Sequence, residues 1–508
     1  MKGNIRTITY NTALSVHNMF DIPKSSNKTV DMTKPDWAPI PILSGVPQGS
    51  VLGPLLFLIF INDLEVGIKS QIKFFADDTS LYSVVRDPLK SAMELNHDLE
   101  VINNWAKQWK MSFNPDPTKP AEEILFSQKR PRVHPPLFFN GIEVKRVTEH
   151  KHLGLILDPL LNFAAHFKEK IAKARKGIGL IKHLREYLPT DVLDQIYKMH
   201  VRPHLDYCDF IYHIPDLNKY KDIEESNDET DSFNEDHAND HHDRNETLTE
   251  NLNFRMKSLE SIQYQAALAV TGAWNGTNTK KIYSELGWES LHERRCFRRI
   301  TQFFKIMNGL TPQYLSDPIP IPRRHLFGRN PTNDLYEFTW RNKRFARSFY
   351  PDSVNCWNEL GPEMRSIETL STFKETYIKT IRPVKRSIFK THDPNIQRIY
   401  QLRVGLSPLR SHKKRHNFID TPDDRCHCGT GIETTEHFLL DCPFFHTHRN
   451  SFLSVVNPLI SEASPNSPPK NSGLVHTLLY GSENLNDVQN KFILSETIRY
   501  IVNTERFT

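Results

Sequence analysis

The stretch that decides the fold is Ser44-Gly45-Val46-Pro47-Gln48-Gly49-Ser50-Val51-Leu52-Gly53-Pro54-Leu55-Leu56-Phe57, with Phe75-Ala76-Asp77-Asp78 shortly downstream. Gly45, Pro47 and Gly49 mark a loop. Gly53-Pro54 then opens a helix, because a proline in the first turn forfeits no hydrogen bond. Leu55, Leu56, Leu58, Ile59 and Ile61 make that helix apolar almost all round, which predicts burial. Gln48, flanked by glycine on a loop that enters a buried helix, can approach a base and a sugar closely.

Residues 71–85 read as a hairpin, with Asp77, Asp78, Thr79 and Ser80 as the turn between two apolar strands. Adjacent carboxylates repel, and a divalent cation removes that repulsion. Nucleotidyl transfer uses two such ions, one to activate the attacking oxygen and one to stabilise the leaving oxygen. An Asp-Asp pair by itself also suits a solvated loop, so the pair gains meaning only beside the Gln48 loop.

Outward from this block, Asp87-Pro88 is a cap with a first-turn proline. Ala92, Leu95, Leu99, Ile102, Ala106 and Trp109 follow at helical spacing. Asn140-Gly141 signals a second hairpin over 137–144. Beyond residue 163, Phe167, Ile171, Ala174, Ile178 and Ile181 line one helix face, and Lys168, Lys170, Lys173, Arg175, Lys176, Lys182 and Arg185 crowd the rest. Residues 259–270 and 291–307 are also helical in pattern, the latter with Arg294, Arg295, Arg298 and Arg299.

The net charge of the 508 residues is +5, but residues 221–250 hold twelve acidic against two basic side chains, so the remainder carries +15. A basic body suits a polyanionic partner, and equally a plain soluble surface. The acidic run predicts a disordered insert over 216–252, whose His237, His241 and His242 read as solvated rather than ligating. The longest apolar run, 51–61, is too short to span a bilayer, and the N-terminus has no secretory pattern. No membrane partner is expected, and the nucleus and cytoplasm are the expected compartments.

Six cysteines are too few for a disulfide framework. Cys208, Cys296 and Cys356 stand apart, whereas Cys426, Cys428 and Cys442 cluster with His437 in the order C-x-C, eight residues, H, four residues, C. Three thiolates and one imidazole satisfy a closed tetrahedral zinc site, with His446 and His448 as spare ligands. A small buried cysteine cluster is the alternative.

The 44–57 block with Phe75-Ala76-Asp77-Asp78 resembles the palm of reverse transcriptases from non-LTR (LINE-type) retrotransposons, nearest the jockey-like group. The resemblance runs from about residue 37 to 450. It implies that Asp77 is the principal metal-binding aspartate for Mg²⁺ or Mn²⁺, with Asp78 its partner nearer the primer end. Gly45, Pro47, Gln48, Gly49 and Ser50 would contact template and incoming nucleotide, and Lys119 would sit near the triphosphate. His152, Leu153 and Gly154 resemble the segment that grips the primer. The basic helix would be the thumb, with Lys168, Lys173 and Lys176 on nucleic-acid phosphates. Such elements often end in a zinc knuckle, which supports Cys426, Cys428, His437 and Cys442 as ligands of a structural Zn²⁺. The implied partners are an RNA template, a DNA primer and deoxynucleoside triphosphates.

The fold class expected is α+β: a partial polymerase palm and a helical thumb, then a mainly α-helical region and a small zinc-knuckle-like module. The divisions are 1–43 an irregular lead, 44–157 palm, 158–215 thumb, 216–252 the acidic insert, 253–415 a helical basic region, 416–450 the CCHC module and 451–508 a tail. A palm needs a third carboxylate from an earlier strand, which only 43 residues before Ser44 leave little room for. Asp21, in Phe20-Asp21-Ile22, lies too near Ser44 for the usual intervening helix. The expectation is therefore a 5′-truncated element that lacks fingers, endonuclease and first palm strand, with the vacated sheet edge exposed or mispaired. Two functions compete: an RNA-directed DNA polymerase, incomplete at its metal centre, and a non-catalytic nucleic-acid binder built from thumb and knuckle.

Overall fold

The computed structural model describes residues 12–15, 51–111, 113, 121–127, 134–213, 239–319, 335, 338, 343–346, 348–381, 393, 395–463 and 470–507. The chain divides into two compact units, 1–166 and 167–508.

The first unit is built on a five-stranded sheet in the order β2-β3-β1-β4-β7. Its strands are β1 (Thr12–Ser15), β2 (Gln71–Phe75), β3 (Asp78–Tyr82), β4 (Glu122–Glu123) and β7 (Lys145–Arg146). Two short hairpins accompany it: β5 (Phe138–Phe139) with β6 (Ile142–Glu143), and β8 (His150–His152) with β9 (Leu155–Leu157). The β5–β6 turn is Asn140-Gly141, both at positive φ, as a tight two-residue hairpin turn demands.

Two helices belong to this unit, α1 (Leu52–Ile61) and α2 (Pro88–Gln108). Asp87 caps α2, its Oδ1 accepting from the Leu89 amide at 2.9 Å. Ala92, Leu95, Leu99, Ile102 and Ala106 of α2 pack with Leu81, Leu64 and Leu137 in one core. Trp105 takes the inward place expected of Trp109, donating from Nε1 to Asp63 at 2.8 Å, while Trp109 is exposed. The buried Asp98 accepts from the Lys69 and Ser70 amides at 2.9 and 2.7 Å and so fixes the entry into β2.

Three expectations change here. Helix α1 is not buried: Leu52 is 63% and Ile59 65% exposed, and only Phe57, Phe60 and Ile61 turn into the core. Composition reported the helix as uniformly apolar, but one face is all that the described residues cover. The free edge expected on β3 is also filled, because β1 pairs antiparallel with it, Thr12 opposite Leu81 and Ser15 opposite Asp78. A strand therefore lies inside the stretch expected to be an irregular lead. Finally, the hairpin turn is shorter than its polar run suggested. It consists of Ala76 and Asp77, and Asp78 already pairs with Phe75 in the ladder.

The second unit is helical. Helix α3 (Ala164–Leu184) runs into it, followed by α4 (Thr190–Ile196), a π-helical turn (Tyr197–Val201), α5 (Arg202–Asp206) and α6 (Asp209–Tyr212). Next come α7 (Asn239–Thr271), α8 (Thr279–Leu286), α9 (Leu291–Met307), α10 (Lys343–Ala346), α11 (Phe349–Glu359), α12 (Pro362–Arg365) and α13 (Leu370–Ile381). The chain closes with α14 (Ile396–Val404), α15 (Arg410–Arg415), α16 (His446–Ala463), α17 (Asn471–Tyr480) and α18 (Asp487–Asn503).

Residues 239–252 of the expected disordered insert form the first turns of α7, where the apolar face beyond residue 258 propagates helix backwards; residues 214–238 and their His237 lie outside the described residues. Helix α9 begins with a capping box between Ser290 and Glu293 and packs Ile300, Phe303 and Phe304 against Val354, Trp357 and Phe373. Residues 451–508 are not a tail. Helices α16 to α18 share one core with α14 and with Phe438 and Leu439 of the Cys-His segment.

Candidate functional site

The β2–β3 hairpin presents its carboxylates by backbone geometry. A two-residue turn bends the chain at Ala76, which is held at φ 51°, a left-handed conformation costly for a residue with a Cβ. Asp77 completes the turn and Asp78 starts β3; both are half-buried, whereas Thr79, Ser80 and Leu81 behind them are buried. The hairpin thus carries two carboxylates at its turn, where β3 begins.

β1, on the far side of β3, consists of Thr12, Ala13, Leu14 and Ser15. The strand next to the aspartates therefore brings no acidic residue, and Asp21 lies outside the described residues. Oxygen donors from adjacent carboxylates suit Mg²⁺ or Mn²⁺, so Asp77 and Asp78 fit one hard ion. A bridging third carboxylate for a second ion is absent among the described residues.

The β8–β9 hairpin brings His152 into the electrostatic field of Asp78. Burial and then His150 lower the His152 pKa, and Asp78 opposes them. Its turn residues are Leu153 at φ 46° and Gly154 at φ 84°. Leucine is a poor choice for that backbone, and strain of this kind concentrates at functional turns. His150 is anchored below by Glu122, Nδ1 to Oε2 at 2.8 Å. The template loop Gly45, Pro47, Gln48, Gly49 and Ser50, and Lys119, lie outside the described residues.

Comparison with known proteins fits this geometry. Residues 6–157 match the family model described as reverse transcriptase (RNA-dependent DNA polymerase). The part of the chain that is similar to reverse transcriptases is residues 6–157. The match begins upstream of Ser44 and takes in β1. A probable RNA-directed DNA polymerase from transposon X-element of Drosophila melanogaster is 29% identical over 143 residues, covering 27% of this chain and 15% of that protein. The RNA-directed DNA polymerases from mobile element jockey are 30% identical over 148 residues in Drosophila melanogaster (26% of this chain, 16% of that protein) and 31% over 184 in Drosophila funebris (34% and 20%). The chain thus spans 15 to 20% of the length of these relatives.

After this matched stretch, α3 keeps Phe167, Ala174, Ile178 and Ile181 buried and Lys168, Lys173 and Lys176 exposed. Lys173 is tied to Glu169 one turn back. Lys170 differs from its neighbours: it is buried, its ammonium 4.5 Å from the Tyr207 ring centroid. The arginines of α9 are also committed inside the protein. Arg294 meets Asp206 at 2.6 Å, Arg298 meets Asp209 at 2.8 Å and Arg299 meets Asp352 at 2.9 Å. These paired side chains therefore add less to the surface charge than the sequence count implies.

Cys426, Cys428, His437 and Cys442 converge, with one ligand atom of each within 4.8 Å of the others. A tight turn carries the first two: the Cys426 amide donates to Gly431 O at 2.8 Å, and Gly429 takes φ 78°. Cys442 follows a short π-helical turn, its amide donating to His437 O at 2.7 Å. Cys426 Sγ lies 3.7 Å from Cys442 Sγ and Cys428 Sγ 3.2 Å from His437 Nε2. In a zinc tetrahedron the S–S edge is about 3.8 Å and the S–N edge about 3.6 Å, so the first distance matches and the second is a few tenths of an ångström short, within a small side-chain adjustment of a zinc site. Burial pushes the Cys426 thiol up to about 12. Burial also acts upward on Cys428, but hydrogen bonds from Thr430 outweigh it and bring that thiol down to about 6. The strand β1 is what sequence reasoning missed; its four residues, Thr12 to Ser15, carry no hydropathy signal strong enough to reveal it.

Proposed function

We propose that this chain acts on nucleic acid as an RNA-directed DNA polymerase in lineage, with Asp77 and Asp78 as the metal-binding carboxylates among the described residues. The observation that carries the reading is the two-residue aspartate turn within the stretch similar to reverse transcriptases, flanked by a strand with no carboxylate. Its substrates would be an RNA template, a DNA primer and deoxynucleoside triphosphates. Asp77 and Asp78 would hold Mg²⁺ or Mn²⁺, which neutralises phosphate charge when bound. Asp77 would bear most of that ion's charge, with Asp78 beside the primer end. His152, kept largely neutral by burial, would turn a donor or acceptor rather than a cation toward the primer. Lys119 and the loop from Gly45 to Ser50 would place the nucleotide.

A second reading is favoured by the exposed lysines of α3 and the tetrahedral Cys-His set: retained binding of RNA without synthesis. Lys168, Lys173 and Lys176 would neutralise phosphates, and Zn²⁺ on Cys426, Cys428, His437 and Cys442 would be structural. No described helix is long and apolar enough to cross a membrane, so an aqueous compartment, nucleus or cytoplasm, suits either reading.

Primer extension by the full chain on an RNA template, with Mg²⁺ and separately with Mn²⁺, separates the two. Extension abolished by Asp77→Ala supports the polymerase. Salt-sensitive RNA binding without extension supports the binder. Absence of both sinks the proposal.

A further inference from the structure

We propose that His213, His292 and Cys296 form a second zinc site, of the three-ligand kind with one open position. It is independent of the polymerase reading, and the four residues at 426–442 take no part in it.

Sequence spacing supplies half of the site. His292 and Cys296 are four residues apart on α9, so they rise from one face of the helix. His213 comes from elsewhere: it immediately follows α6, and that helix is fastened to α9 by Arg298 on Asp209 at 2.8 Å and by Arg299 Nη1 donating to Phe210 O at 3.0 Å. The fold therefore delivers the third ligand from 79 residues upstream of His292.

The distances are those of a metal polyhedron. Cys296 Sγ is 3.7 Å from His213 Nε2 and 3.6 Å from His292 Nε2. With Zn–N of about 2.0–2.1 Å and Zn–S of about 2.3 Å, a tetrahedral N–Zn–S edge is about 3.6 Å. All three donor atoms lie within 4.8 Å of one another.

The environment also points to a ligand. His213 is 4% exposed, and its Nδ1 has no hydrogen-bond partner among the described residues. Its Nε2 faces a sulfur, a weak partner for so costly a burial. One thiolate and two imidazoles with no oxygen donor select zinc over magnesium or calcium. Arg299 stands nearby but is neutralised by Asp352 at 2.9 Å. His292 is exposed, so the fourth position opens to solvent and would take water or an incoming ligand.

The test counts zinc on the full chain after addition of Zn²⁺ and removal of excess. Three variants accompany the parent: His292→Ala, Cys428→Ser, and the two combined. His292 is exposed, so its replacement leaves the fold intact, as far-ultraviolet circular dichroism verifies. The expected result is loss of one zinc in each single variant and of both in the double variant. Loaded with Co²⁺ instead, Cys428→Ser should keep a thiolate-to-cobalt absorption that His292→Ala removes from it. A folded His292→Ala chain that binds as much zinc as the parent overturns the proposal. So does a Cys428→Ser chain, folded in its other parts, that binds none.

Discussion

Removing zinc from the Cys426 cluster should loosen the whole C-terminal helical core rather than one loop. Cys442 is fully buried, and Phe438 and Leu439, between His437 and Cys442, belong to the core formed by α14, α16, α17 and α18. The Tyr500 hydroxyl donates to Phe438 O at 2.7 Å, and Arg506 grips Glu433 at 2.6 Å, so α18 and the end of the chain register on the ligand loop. Structural zinc is worth about 10–16 kcal/mol in small peptides, comparable to the whole stability of a domain, about 5–15 kcal/mol. With free zinc about 1,000-fold above the dissociation constant, the ion adds about 4 kcal/mol. At about 2–4 °C per kcal/mol, chelation should lower Tm by roughly 8–16 °C. The assay is a thermal melt with and without chelator, paired with hydrogen exchange. Exchange should rise across α16 to α18 and leave α2 unchanged. Cys442→Ser should reproduce the effect, and zinc should not rescue it. An unaltered Tm together with unaltered exchange in α16 to α18 would refute the coupling and the zinc assignment with it.

Other outcomes are equally concrete. Asp77→Ala should remove any metal-dependent primer extension while RNA binding stays within about twofold, since one carboxylate hardly alters phosphate contacts; filter binding beside the extension gel checks both. Replacing Lys168, Lys173 and Lys176 together by alanine should flatten the dependence of log affinity on log salt by about 2 for single-stranded RNA, at about 0.7 per phosphate contact. An unchanged slope would remove α3 from the nucleic-acid surface. Asp352→Ala strands the buried Arg299 and should cost about 3–5 kcal/mol in denaturant unfolding. Acid should weaken the second unit through His412. Its imidazole is buried against Ser407 Oγ at 2.8 Å, and burial lowers its pKa to about 4. The unfolded chain takes up that proton near pH 6.5 and the folded chain does not, so stability present above pH 6.5 falls between pH 6.5 and 4. Urea midpoints at several pH values should show this decline, and His412→Gln should make it shallower.

Local chemistry made several elements legible. Asp87-Pro88 announced the start of α2, Asn140-Gly141 announced a hairpin, and the apolar rows of α2 and α3 named most of the residues that the structure buries. The Cys-x-Cys, His, Cys spacing likewise named four residues that do converge. Where the readings failed, the deciding term was not local. The polar run after Phe75 suggested a longer turn, but ladder pairing draws Asp78, Thr79 and Ser80 into β3. The apolar composition of α1 demanded burial, and burial depends on what another segment places opposite. The arginines of α9 counted toward a basic body in the sequence, whereas the structure sets Asp206, Asp209 and Asp352 beside three of them.

The sequence by itself determined the candidate residues: the Asp77-Asp78 pair, its glycine-rich loop and the Cys-His set are short-range patterns, written in residue type and spacing. Tertiary structure alone decided what those residues stand beside. It laid β1, without a carboxylate, along β3, folded α16 to α18 onto the Cys-His segment, and brought His213 to His292 and Cys296. Each of these is a contact between segments distant in the chain. Its energy comes from burial and pairing with a partner that no local window contains.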